Sequence, residues 1–258
     1  MTTNLCDTSK ILLRPIQKPI AKSIIEKNHY SGRLSSCRYA LGVFYQPGNQ
    51  HKFFDELEEK LIGCIAYGFP IGRRVLGSIF KDDLELTTKN ILELTRLFIH
   101  DGYGKNVESY VISQSFKWMK NNAPDIKVLI SYADPEQNHA GGIYQATNWL
   151  YQGCGDIQMA PTFSLRIEED GDWIHSRTVY SLYGSSNVEH LKKQIGHTFW
   201  LKKEAEKHRY LYFLGNKKEN KLFMNTIKHP LLPYPKEALN KAEVIKYEVD
   251  NKGIYNES

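Results

Sequence analysis

The chain has 258 residues, 41% of them hydrophobic and 24% charged, with a formal net charge of +5. That supplies one large domain, or a core of about 160 residues with an extension. No apolar run approaches the roughly 18 residues of a membrane span, and Met1–Lys10 lacks the charged-then-apolar pattern of a secretion signal. Cys6, Cys37, Cys64 and Cys154 are scattered without a Cys-x-x-Cys pair, which argues against a disulfide framework or zinc knuckle and suits thiols in a reducing cytoplasm.

In chain order, Ile11–Arg14 reads as a short strand. Pro19–Asn28, with Ile20, Ile24 and Ile25 at helical spacing, reads as a helix ending on His29-Tyr30-Ser31-Gly32. Tyr39–Tyr45 and Leu61–Tyr67 read as strands around a charged loop, and Gly68–Leu76 as a turn region. Leu92–Ile99 is an apolar run of strand length, and Val107–Asn121 an amphipathic helix. Val128–Ala133 has the composition of a buried strand, and Gly142–Tyr151 that of a short helix. Ser164–Ile167, Trp173–Ile174 and Thr178–Tyr183 suggest strands, Val188–Ile195 and Trp200–Lys207 helices, and Tyr210–Leu214 a last strand. Pro230-Leu-Leu-Pro-Tyr-Pro235 enforces extended backbone, and the tail from Glu237 is expected to be frayed or loosely docked. The alternation indicates an α/β fold.

Charge is uneven. Leu191–Lys236 holds eleven Lys or Arg against three Glu, a net +8, so the remainder sums to −3. Phe199, Trp200, Tyr210, Tyr212 and Phe213 interleave with these cations. Phosphate contacts and base stacking need such a segment; a solvated helix and hairpin would share its composition.

Two strand–turn–helix units carry the chemistry. After Phe98-Ile99 the chain turns through Gly102-Tyr103-Gly104-Lys105-Asn106 into a helix bearing Ser109. Free backbone N–H groups at such a helix start favour a pyrophosphate, although a plain capped loop looks the same. In the second unit Asp134 ends a strand, where open α/β sheets put reactive groups, and Tyr144 lies in the next helix. Asn148-Trp149 closes that helix. This arrangement resembles the signature helix of the GCN5-related N-acetyltransferase superfamily, with Asn148-Trp149 in place of Gly-Phe. The resemblance implies coenzyme A pyrophosphate in the first turn and Tyr144 as proton donor to the leaving thiolate.

The ordered motifs His29-Tyr30-Ser31-Gly32, Leu94-Thr95-Arg96-Leu97, Lys105-Asn106-Val107-Glu108-Ser109 and Ser131-Tyr132-Ala133-Asp134 narrow the likeness. With His139-Ala140-Gly141-Gly142-Ile143-Tyr144-Gln145-Ala146-Thr147-Asn148-Trp149, His175-Ser176-Arg177-Thr178, Lys207-His208-Arg209-Tyr210 and Pro233-Tyr234-Pro235-Lys236, they resemble the Mom family of phage DNA-modification proteins. That implies a modified acetyltransferase fold with a mixed, mostly antiparallel central sheet flanked by helices, and acetyl-CoA as cofactor. It also implies carbamoylmethylation of the exocyclic N6 of adenine in duplex DNA, shielding phage DNA from restriction inside the bacterial host's cytoplasm. The expected organisation is a catalytic core over 1–165, a basic extension over 166–236 and a tail over 237–258.

Carried over by position, Arg96, Ser109, Asp134 and Tyr144 are the family's functional residues. Phe98, Ile99, Gly102, Gly104, Lys105, Asn106 and Asn148 join Ser109 around the cofactor, while His29 is a candidate base and Tyr30 a stacking wall. Arg96 could instead pair with Glu93 or Glu108, and Asp134 could be an N-cap. The adenine must be flipped out between walls, for which Tyr30, Tyr132 and Trp149 are candidates. An iron centre suggested for the family would have His29, Asp134 and His139 as a conceivable ligand set. The turn lacks the superfamily's usual Gln/Arg-x-x-Gly-x-Gly/Ala loop, and Arg166–Lys236 has no counterpart in minimal acetyltransferases. An ordinary N-acetyltransferase acting on a small amine or protein, and a non-catalytic DNA-binding relative, are the other readings; neither needs both the catalytic turns and the basic segment.

Overall fold

A computed structural model describes residues 7–47, 59–70, 75–81, 84–154, 163–203, 206–237 and 244–249. In chain order its strands and helices are β1 (Ile11–Pro15), α1 (Lys18–Asn28), β2 (Tyr39–Tyr45), β3 (Lys60–Gly68), α2 (Val75–Ile79), β4 (Ile91–Ile99), α3 (Val107–Asn122), β5 (Val128–Ala133), α4 (Gly142–Gln145) and β6 (Leu150–Cys154). They continue with β7 (Phe163–Arg166), α5 (Ser176–Tyr183), α6 (Val188–Ile195), β8 (Phe199–Lys203), β9 (His208–Phe213), α7 (Lys217–Thr226) and β10 (Val244–Tyr247). Contacts divide the chain into two compact units that interleave along it. The first comprises Met1–Ala133, Gly141–Gly153 and His208–Tyr234, and the second Asp134–Ala140, Cys154–Lys207 and Pro235–Ser258.

The first unit is built on a seven-stranded sheet in the order β1-β2-β3-β4-β5-β9-β6. Its described pairings are antiparallel except β4 with β5, which are parallel and therefore need the crossover that α3 supplies. The class is thus the mixed, mostly antiparallel sheet flanked by helices that the motifs imply. Alternation along the strands sorts side chains to two faces. Leu92, Leu94, Leu129 and Tyr210 join one core with Val111, Ile112, Phe116 and Met119 of α3. Ile91, Val128, Ile130, Leu211 and Phe213 join the other with Ile79 of α2 and Phe223 of α7. The α1 residues Ala21 and Ile25 pack with Ala40 and Cys64. Burial pushes the Cys64 thiol up to about 12, so it remains neutral.

The β4–β5 ladder is short. Ile91, Leu92 and Glu93 pair with Val128, Leu129 and Ile130. Beyond Glu93 the strand stays only with β3, and Ser131–Ala133 stay only with β9. A register shift opposite Ala66 and Tyr67 adds a bulge at Thr95, and bulges re-aim side chains next to sites. Strand β6 forms a sheet edge that the proline-rich segment covers. There Leu232 N–H donates to Tyr151 O at 2.9 Å, and Tyr234 Oη donates to Trp149 O at 2.7 Å.

The second unit carries a three-stranded antiparallel sheet, β10-β8-β7, whose core is Leu165, Val179, Leu191, Phe199 and Leu201. Several sequence expectations are corrected. Thr178–Tyr183 lies in helix α5 rather than a strand, because Val179 is buried and Tyr183 returns to the same core one turn later. Trp200–Lys207 begins in strand β8; Phe199 and Leu201 alternate inward, a period of two that the helix-favouring Lys/Glu/Ala composition masks. Trp173–Ile174 reduces to one bridge between Ile174 and Leu165. The expected helix Gly142–Tyr151 is the single turn α4, after which Tyr151 belongs to β6. The expected loose tail contributes β10, paired with β8. Helix α7 was not expected, although Asn216 and Glu219 form a reciprocal capping box at its start. Cys6 and residues 71–74 of the Gly68–Leu76 turn lie outside the described residues.

Gly63 marks a close backbone approach between β3 and β4. A Cβ there would stand 2.1 Å from the carbonyl oxygen of Phe98, which cannot move without breaking the β3–β4 ladder. Gly63→Ala is expected to lower unfolding free energy by about 1–3 kcal/mol, measured by denaturant titration.

Candidate functional site

The parting of β4 and β5 leaves backbone and side chains of both strands facing a gap. Tyr144 of α4 fills one side of it. It is buried, in contact with the rings of Trp149 and Tyr210 at centroid distances of 5.2 and 5.0 Å. Gly141, at φ +83°, permits the turn into α4, and a Cβ there would meet the Tyr210 ring at 2.4 Å. Ser131 Oγ lies 2.8 Å from Tyr144 Oη and 3.0 Å from the carbonyl oxygen of Leu94. Ser131 has one proton for these two acceptors; when it donates to Leu94 O, the phenol is left to donate to Ser131. Burial is the main cause that pushes the Tyr144 phenol up to about 12, with smaller contributions from Tyr30, Glu93 and Tyr210 against the hydrogen bond from Ser131. Tyr144 is therefore a neutral proton holder near neutral pH.

Arg96 emerges after the bulge. Its Nε donates to Arg33 O at 3.0 Å and its Nη1 to Thr95 O. Two backbone carbonyls thus hold the guanidinium, rather than the simple acid pair considered from sequence, although Glu93 also acts on it electrostatically. Burial lowers its pKa, opposed by Tyr30 and Glu93. Tyr30 and Glu93 each act on both Arg96 and Tyr144. This part of Glu93 was missed from sequence, where it figured only as a structural partner; its place at the last β4–β5 step was the available signal.

His29 caps α1 through its backbone N–H to Ile25 O. Its Nδ1 accepts from Ser31 N at 3.1 Å, and its ring lies 4.2 Å from that of Tyr30. Tyr30 is 61% exposed, as a stacking surface requires. Trp149 is fully buried among Phe116, Tyr144 and Tyr212, which corrects its expected role as a wall: it is core. Asn148 takes φ +59°, the left-handed conformation that Gly or Asn adopts most readily, which explains how Asn-Trp can replace Gly-Phe.

At the other strand end, Gly102, Gly104 and Asn106 have φ of +97°, +100° and +68°, bending the chain sharply into α3. Asn106 makes no side-chain cap, so the first N–H groups of α3 are left for another acceptor. Lys105, Asn106, Ser109, Tyr110, Ser113, Thr8 and Ala146 line an open pocket of about 330 Å³. Of the expected cofactor residues this includes Lys105, Asn106 and Ser109; Phe98, Ile99, Gly102, Gly104 and Asn148 do not line it. A cation, hydroxyls and a helix start suit a pyrophosphate.

Asp134 belongs to the second unit. Its Oδ1 accepts the Glu136 N–H at 3.0 Å, capping the short 3-10 turn Pro135–Gln137, and its Oδ2 lies 3.0 Å from Lys207 Nζ. Glu136 of the same turn pairs with Lys202 at 3.2 Å. Among the described residues no group of three or more His, Cys, Asp or Glu stands where it could hold a metal ion; of the conceived iron ligands, His29 belongs to the first unit and Asp134 and His139 to the second.

Comparison with known proteins bears on this arrangement. The model of the Mom protein family matches residues 10–236. The methylcarbamoylase mom of Escherichia phage Mu is 29% identical over 230 residues, covering 84% of this chain and 80% of that protein. Among solved structures, Vibrio cholerae spermidine N-acetyltransferase in complex with CoA and spermine is 9% identical with a TM-score of 0.40, over 80% of this chain and 96% of that one. Arabidopsis thaliana NAA60 in complex with acetyl-CoA is 12% identical with a TM-score of 0.44, over 79% and 99%.

The Tyr144 phenol should ionise near pH 12 in a spectrophotometric titration of wild type against Tyr144→Phe. Because its folded pKa lies above the ordinary value of 10.0, its contribution to stability is present below pH 10 and lost as pH rises from about 10 through about 12. Ser131→Ala should cost about 1–3 kcal/mol by removing the buried partner of that hydroxyl, read from the shift in denaturation midpoint.

Proposed function

The chain belongs to the Mom protein family, and on that premise we propose that it is a transferase that uses acetyl-CoA to modify the exocyclic N6 of adenine in duplex DNA. The product proposed is a carbamoylmethyl-type group, made in the cytoplasm of the bacterial host and protecting phage DNA from restriction. The phage Mu relative is named a methylcarbamoylase. The observation that carries the reading is the buried, neutral Tyr144 at the fork of β4 and β5, on the same unit as the pocket at the start of α3. Among the described residues no helix is long and apolar enough to cross a membrane.

In this reading Lys105, Ser109 and the first N–H groups of α3 hold the cofactor's pyrophosphate, the lysine by charge and the helix by its unpaired donors. Acetyl-CoA supplies an activated two-carbon unit and a thiolate leaving group. Tyr144 Oη holds the proton that the departing sulfur requires, and Ser131 keeps the hydroxyl oriented while it waits. Arg96, pinned by the carbonyls of Arg33 and Thr95, is a fixed cation that can orient an anionic or carbonyl group.

The acceptor side is supplied by other residues. A base within a duplex is unreachable, so the adenine is extruded, and the exposed ring of Tyr30, backed by His29, provides a face to stack on. The exocyclic amine is a poor nucleophile because its lone pair is delocalised into the purine. Asp134 accepts hydrogen from that amine and draws off its proton as the new bond to nitrogen forms. Acetyl transfer alone would leave an N-acetyl group. A carbamoylmethyl product instead joins the amine nitrogen to the methyl carbon, which removes two hydrogens and calls for a two-electron oxidant. It also replaces the thiolate with an amide, which calls for an ammonia-type nitrogen donor. Exposed cations on α7 (Lys217, Lys218, Lys221) and around the β8–β9 turn (Lys203, Lys207) suit contact with duplex phosphates.

Nucleoside mass spectrometry of DNA from cells expressing the chain should reveal a mass-shifted adenosine. Tyr144→Phe and Asp134→Ala should each abolish it while melting curves stay cooperative; full activity in either removes that residue from the mechanism. An unshifted pool with acetylation of polyamines or proteins would favour an ordinary N-acetyltransferase. Lys105→Gln and Ser109→Ala should each weaken acetyl-CoA binding by about tenfold, the equivalent of one charged or anion-directed hydrogen bond at roughly 1.4 kcal/mol, measured by calorimetry.

A further inference from the structure

Within the second unit, the carboxylate of Asp134 has its two oxygens committed differently. Oδ1 is fixed by the Glu136 N–H at 3.0 Å, so the orientation of the group does not depend on any other partner. Oδ2 is occupied by the Lys207 ammonium at 3.0 Å. Asp134 and Lys207 are the residues that follow and precede, in sequence, the Ala133 and His208 partners ending the β5–β9 ladder. Lys207 is 54% exposed while Asp134 is 19% exposed, so the cation faces solvent and the anion lies behind it. By contrast, the neighbouring Lys202–Glu136 pair is more enclosed, at 23% and 30%.

An ion pair of this kind holds weakly when one partner is exposed to water. A lysine that meets a duplex phosphate releases a condensed counterion, and each such contact contributes to affinity. The exchange of Lys207 from carboxylate to phosphate is therefore close to balanced in the pair and favoured by the polyanion. We propose that Lys207 is a positioning residue that senses duplex DNA. It occupies Oδ2 of Asp134 in the free protein, and transfers to a backbone phosphate when DNA docks. That transfer leaves Oδ2 open to the hydrogens of the acceptor amine, with Oδ1 still held by the backbone. This rests on the adenine-modifying role of Asp134 proposed above. Its consequence is that the acceptor carboxylate becomes available only when a phosphate chain is present.

The test uses the full chain with wild type, Lys207→Gln and Lys207→Arg. Duplex binding is followed across a salt series, and turnover by nucleoside mass spectrometry. Lys207→Gln should flatten the dependence of log affinity on log salt by about 0.9, the loss of one phosphate contact, and lower kcat/KM through KM. It should also gain turnover of free deoxyadenosine relative to wild type, since Oδ2 no longer waits for a phosphate. Lys207→Arg should keep the salt slope but lower kcat, because a guanidinium grips a carboxylate in two bonds and releases it less readily. An unchanged salt slope in Lys207→Gln overturns the proposal, as does a kcat loss as large as that of Asp134→Ala. If wild type leaves duplex adenine unmodified, the adenine reading fails, and the salt slopes alone still decide whether Lys207 meets a phosphate.

Discussion

Parallel strands that share only three residue pairs cannot stay together along their length, and the separation of β4 from β5 after Glu93 and Ile130 conditions the rest of the first unit. Each strand keeps the ladder with its other neighbour, β3 or β9, while its groups on the gap side lose their strand partner. The gap still exposes the Leu94 carbonyl, which Ser131 reaches at 3.0 Å. Ser131 in turn meets the Tyr144 hydroxyl, so a tyrosine whose ring belongs to the core also has its polar end at the fork. Burial raises its pKa, and the same burial holds its position.

The second chemical element depends on a different kind of order. Asp134 is set by a backbone cap and a cross-strand lysine, both on short segments, and neither needs a large core. The two units therefore use different means for the same end: in the first a hydroxyl is fixed by packing, in the second a carboxylate is fixed by local hydrogen bonding and charge. Packing suits a group that must stay neutral. Charge suits one proposed to respond to a partner.

Much of the first unit was legible because its strands are predominantly apolar and bounded by turn residues. Val128–Ala133 and Tyr39–Tyr45 have the limits read from sequence, since buried strands between loops leave little to decide. The placement of Tyr144 in a helix and of Asp134 at a strand end was legible through spacing from the preceding strand and through family motifs. The second unit was read poorly. Its strands are short and half-exposed, so composition competes with periodicity, and in β8 the lysines outweighed the alternation of Phe199 and Leu201. Trp149 was misjudged for a related reason: an aromatic beside a tyrosine proposed as catalytic looks like a substrate wall, and only the packing of Phe116 and Tyr212 around it reveals a core residue. The hold of backbone carbonyls on Arg96 depends on the bulge at Thr95, a change of register that no local pattern announces.

The position of β9 between β5 and β6 has a bearing on biosynthesis. Strand β9 reaches the ribosomal exit long after β5, with all of residues 154–207 in between. Until it arrives, β5 is an open edge of a growing sheet, carrying Val128, Leu129 and Ile130 without their final neighbour. Domains tend to fold as units during synthesis, and unpaired edges invite association with other chains. The intervening second unit thus lengthens the interval in which a nascent chain is vulnerable, and a host that slows translation across that stretch would be expected to lose more of the protein to aggregation than its final stability implies.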